Sequence, residues 1–222
     1  GCSAPDLGRN VRIRDLTDPT QSVLPALEED SVVQQVRLGH TAQFSHDIFF
    51  EWSFFHLLVD HDEDWIGILT EVGEPPALGR VVELLSQATY TDFAKWANTL
   101  KVLEQSAVRP QWLRAWIVAP VFSPDFGSQA DSYEAVLAEN DHRLLGKLLV
   151  WMQAEKTTPN PMVLTGQYGT GDLSSRERLR IADALGWPSD FAACQRLIFL
   201  IIERIDTVPE NLLAHVVRIF DT

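Results

Sequence analysis

The chain has 222 residues, 45% of them hydrophobic, and its 18 Lys and Arg against 31 Asp and Glu give a net charge of −13. Seven Trp and eleven Phe supply enough apolar surface to offset the entropy of ordering, which excludes a disordered acidic tail. With only four lysines, the charge also disfavours nucleic acid and anionic lipid, which are bound through clustered Lys and Arg.

No Gly/Ser-rich or Pro-rich linker divides the chain, so a single domain over 1–222 is expected, with residues 1–74 packed on a helical part, 75–222. The opening Gly1-Cys2-Ser3-Ala4-Pro5 has three readings: a lipid on Cys2, a myristoyl group on Gly1, or a processing remnant. Pro5 stands where the myristoylation pattern wants Ser or Thr, and both lipid motifs are short, so the remnant and a cytoplasmic location are expected, with a lipid tether at Cys2 or Gly1 as the alternative. Cys2 and Cys194 are too few for a disulfide framework. The longest apolar run, Leu197 to Ile202, is far short of the roughly 18 residues of a transmembrane segment, so a soluble protein is expected.

In chain order, Val11 to Arg14 and Val32 to Leu38 show partial two-residue alternation, which favours strands, although Asp30 and Gly39 suit helix caps equally well. Asp47 to Val59 carries Ile48, Phe49, Trp52, Phe55 and Val59 on one helical face and Phe50 and Phe54 elsewhere, the pattern of a buried helix. Trp65 to Val72 fits a strand or a helix. From Pro75 on, helix follows helix: Leu78, Val81, Val82 and Leu85 recur at helical spacing, and Thr91 is placed to cap a helix carrying Phe93, Trp96, Leu100 and Leu103. Those two helices are expected to form an antiparallel pair.

Pro110 opens a helix with Trp112, Leu113, Trp116 and Ile117, and Pro120 closes it. Short and long helices are expected from Asp131 or Ser132 and from Asp141, followed by an irregular connection from Thr157 to Asp172. Ser174 with Glu177 spells a capping box for a helix facing Leu179, Ala182 and Leu185 inward, closed by Gly186-Trp187-Pro188. Ser189 is read as the cap of the next, apolar on nearly every face from Phe191 to about Ile205 and therefore central, and a last helix starts near Pro209. The fold class is mainly α, a multi-helix bundle of antiparallel helix pairs, with a small β portion in the N-terminal third (α+β).

The charge is concentrated. Residues 38–79 hold Asp47, Glu51, Asp60, Asp62, Glu63, Asp64, Glu71 and Glu74 and not one Lys or Arg. Opposite charge accelerates encounter and selects partners, so Asp60, Asp62, Glu63, Asp64, Glu71 and Glu74 are the candidate binding residues for a basic protein partner. The expected function is a non-catalytic interaction module of inhibitor, immunity or adaptor type, requiring no cofactor. The alternative is a metal-assisted hydrolase built from His56, His61 and the 157–172 loop. Against it, His46, Glu51 and His56 are five residues apart and fan around a helix, and the acidic run misses the calcium-loop positions. Gly166 to Asp172 lacks the Gly-Lys-Ser/Thr of a phosphate loop, no Ser sits in a nucleophile elbow, and Cys194 falls on an apolar stripe. The helix pair spanning Ser174 to Ile205 lacks the basic face of a DNA-reading helix.

Overall fold

A computed structural model describes residues 11–220, apart from the side chains of Glu63 and residues 218–220. The Gly1 and Cys2 readings lie outside the described residues. Among those described there are eleven α-helices and one three-stranded antiparallel sheet, so the chain is mainly α with a minor β part. No helix among them is long and apolar enough to cross a membrane. Contacts gather into two units: one runs to Leu85 and takes in Ser106–Trp112, the other comprises Ser86–Gln105 and the chain from Leu113 on.

In the first unit, strands form at both alternating segments. They are β1 (Val11–Arg12) and β2 (Val33–Arg37), and between them in the sheet lies β3 (Thr41–Phe44), which the sequence pattern did not reveal. The alternation is partial because the ladder is irregular. Gln35 pairs with Ala42 and Arg37 with Thr41, which leaves Val36 unopposed and exposed. Gly39, at φ +71°, supplies the left-handed residue of the β2–β3 turn rather than a helix cap, and the His40 N–H donates to the Arg37 carbonyl at 2.9 Å.

A second unforeseen element, α1 (Asp18–Glu29), holds Pro19 in its first turn, where its fixed φ suits the helix, and packs on β2. Leu24, Val33 and Ala42 form the buried centre there, with Ile13, Leu27, Val32 and Phe44 around it. Next come α2 (Asp47–Asp60), a 3-10 turn at Asp62–Asp64, and α3 (Trp65–Glu71), which resolves the ambiguous segment as helix and buries Trp65 and Leu69. A 3-10 turn over Pro76–Leu78 leads into α4 (Gly79–Thr89), where Leu78, Val81, Val82 and Leu85 are buried as their spacing predicts.

Helix α5 (Phe93–Gln105) is capped by Asp92, whose Oδ1 accepts the Lys95 N–H at 3.2 Å; Thr91 instead donates its hydroxyl back to the Ala88 carbonyl. Helix α6 (Pro110–Val118) begins on its proline and passes into a 3-10 turn at Ala119–Phe122 containing Pro120. The second unit is built around aromatic rings. Tyr90, Trp96, Trp116, Phe126 and Tyr133 meet at centroid separations of 5.5–6.3 Å, and all five are buried. Their polar ends are satisfied: Trp96 Nε1 donates to Ser86 Oγ at 2.9 Å, Ser86 Oγ to the Trp116 carbonyl at 2.7 Å, and Tyr133 Oη to the Ile117 carbonyl at 2.6 Å.

Helix α7 (Ala130–Glu155) contains the two expected helices, broken where Asn140, Asp141 and His142 all take left-handed φ of 52–58°. The segment after it is less irregular than expected. It holds α8 (Pro161–Leu164), capped by Asn160, and Thr157 bridges to Pro188. At Gly166 (φ +80°) a Cβ would come within 3.1 Å of Gly171 Cα, so this close loop needs glycine at 166.

Helix α9 (Ser175–Leu185) carries the full capping box of Ser174 and Glu177. Ala182 is buried, but Leu179 faces solvent. Helix α10 (Phe191–Ile202) is capped by Asp190, not Ser189, because Asp190 Oδ1 accepts the Ala193 N–H at 3.0 Å. Nor is α10 enclosed: Ala193, Cys194, Leu197 and Ile201 are buried while Phe191, Phe199 and Ile202 are exposed. It ends before the turn at Ile205–Thr207, after which α11 (Glu210–Phe220) follows.

Candidate interaction surface

Asp60 ends α2, Asp62 and Asp64 sit in the turn that follows, and Glu71 closes α3; all four are exposed. The Glu63 side chain lies outside the described set. Glu74 differs from the rest. At φ 52° it turns its carboxylate onto its own unit, where Oε2 accepts the Arg109 N–H at 2.7 Å and Trp112 Nε1 at 2.6 Å.

The largest departure from expectation concerns α2, read as a buried helix. Of its residues only Leu58 is buried; Ile48 is 67% and Trp52 57% exposed. Of the five residues read as facing inward, Ile48, Trp52 and Val59 face solvent, while Phe49 and Phe55 are half-buried. Phe50 turns to the sheet, meeting Phe44 of β3 edge-on at 6.2 Å, and packs against Phe54 one turn on at 4.9 Å. A helix with apolar residues on both sides gives no periodic sign of which side is covered, so sequence spacing alone had no means of choosing.

The outward side is ordered by its own rings. Trp52 stacks on Phe55 at 5.9 Å and 17°, and His56 stands edge-on to Trp52 at 4.4 Å. Helical periodicity places Ile48, Trp52, Phe55, His56 and Val59 in one stripe, with Glu51 on one flank and Asp60 on the other. Ile48, Trp52, His56 and Val59 are exposed.

Among the described residues no group of three His, Cys, Asp or Glu is arranged to hold a metal ion. His61 has its Nδ1 engaged with the Leu57 carbonyl at 2.7 Å. At the entrance to α9, the Ser174 hydroxyl and backbone N–H bond the Glu177 carboxylate and hold it below its ordinary range, so a carboxylate already lies where a phosphate would. The open depression of about 540 Å³ against α9 is lined by Arg176, Arg180, Glu177 and Asp183, a mixed-charge helix face. Burial, and then the nearby Asp190 charge, push the Cys194 thiol up, which keeps it protonated and unreactive.

No family model, no curated protein and no solved structure matches this chain.

Proposed function

We propose that this chain is a non-catalytic interaction module that docks a basic protein through its 38–79 segment, in the manner of an inhibitor, immunity factor or adaptor, in a reducing compartment such as the cytoplasm. The observation that carries this reading is the exposed apolar side of α2 continuing into the exposed carboxylates Asp60, Asp62, Asp64 and Glu71 in a stretch without Lys or Arg. Apolar area provides affinity on desolvation, and a single-signed rim provides encounter rate and partner choice. Glu74 belongs to the fold on this reading, since its carboxylate is committed to Trp112 and Arg109.

The test is native mass spectrometry of the protein taken gently from its source, followed by affinity measurement with whatever polypeptide accompanies it. The expected companion is a basic polypeptide whose affinity falls by about tenfold or more when Asp60, Asp62, Glu63 and Asp64 are all changed to Lys, with the circular dichroism unchanged. A stoichiometric metal or small molecule in place of a polypeptide, or an affinity indifferent to the four substitutions, overturns the proposal.

A further inference from the structure

We infer that the outward stripe of α2 is the seat of an amphipathic basic helix, a partner segment with one apolar face flanked by Lys and Arg. This rests on the docking function proposed above and adds the surface and the shape of the partner. At about 1.5 Å of rise per residue, Ile48 to Val59 covers about 17 Å, the length over which one helix lies along another. Ile48 (67% exposed) and Val59 (44%) mark its ends, and Trp52 (57%) its middle. The rings are held before anything binds: Trp52 is stacked on Phe55 and met edge-on by His56, so little side-chain freedom is lost on docking.

Charge decides among the occupants of such a face. Glu51 and Asp60 flank the stripe, Asp62 and Asp64 follow it, and the whole 38–79 segment has eight carboxylates without a cation. A second copy docked stripe to stripe brings these carboxylates together, and an anionic bilayer meets the same repulsion. A helix with Lys and Arg beside its apolar face reverses both terms. Its cations meet the flanking carboxylates, and those reaching over Trp52 gain attraction from the indole face.

The experiment uses the full chain and two labelled synthetic peptides of identical composition. One places leucines on a single helical face between lysines and arginines; the other scrambles the same residues. The stripe peptide is expected to bind about tenfold more tightly than the scrambled one, and Trp52→Ala to abolish that difference. Ile48→Ala, at the far end of the stripe, serves as an independent second variant, and circular dichroism verifies that both stay folded. Equal affinity for the two peptides overturns the helix seat but leaves charge-driven docking standing, whereas absence of salt-sensitive binding to either overturns both. Concentration-dependent dimerisation lost in Trp52→Ala assigns the stripe to a second copy, and Trp52-dependent binding to neutral phosphatidylcholine vesicles assigns it to lipid; either result overturns the inference.

Discussion

Trp112 donates its indole N–H to the Glu74 carboxylate at 2.6 Å, and that bond gives an acidic residue of the charged segment a structural task. The same carboxylate oxygen accepts the Arg109 N–H, so two donors of residues 109–112 depend on one side chain held at φ 52°. Glu74→Ala leaves both donors without this acceptor, and Trp112 is fully buried. The expected loss is about 1–3 kcal/mol in urea unfolding, with affinity for a basic partner unchanged.

Ser86 links two tryptophans in the second unit, accepting from Trp96 Nε1 and donating to the Trp116 carbonyl. Ser86→Ala strands the Trp96 N–H in a ring cluster with no solvent access. A cost of about 1–3 kcal/mol is expected, seen as a lowered denaturation midpoint, while Ser86→Thr retains the hydroxyl at the expense of an added methyl.

The break in α7 stores strain in three consecutive left-handed residues, and Asp141, at φ 58°, is exposed. Asp141→Gly relieves the left-handed conformation without loss of packing and is expected to stabilise by about 1 kcal/mol. Asp141→Val, β-branched at the same φ, moves the unfolding midpoint the other way.

Tyr90 and Tyr133 give a pH dependence with a defined sign. Burial raises both phenols well above the ordinary range, and Tyr90 raises Tyr133 further. The unfolded chain releases these protons near pH ~10, whereas the folded chain keeps them. Stability therefore stays level below that pH and falls as pH rises beyond it, by up to about 1.4 kcal/mol per unit for each phenol. Denaturation midpoints measured from neutral to strongly alkaline pH check the slope, and Tyr133→Phe halves it.

What was legible in the sequence follows from how local its cause is. The Ser174–Glu177 capping box and the proline starts of α6 and the turn before α4 are set by neighbouring residues, and the structure contains them as read. Leu78, Val81 and Val82 share a single apolar stripe, which leaves one side to bury. Where two adjacent polar residues compete to cap, spacing does not choose: Asp92 and Asp190 took the sites expected of Thr91 and Ser189, as carboxylates accept amide bonds more strongly. Strand β3 needed the bulge at Val36 to be seen, and α1 carries Pro25 inside it, a residue that argues against helix. Residues 38–79 announced their charge, but the aromatic stripe stayed hidden because α2 carries apolar residues on both sides and only its neighbours, Phe44 above all, decide which rings turn inward.

Hydrogen–deuterium exchange of the full chain, with and without the leucine-striped basic peptide, tests the docking account most directly, since it locates the contact as well as detecting it. Slowed exchange confined to 47–64, and absent in Trp52→Ala, is the predicted result. Protection that falls instead on α10, whose Phe191, Phe199 and Ile202 form the competing exposed apolar face, contradicts it.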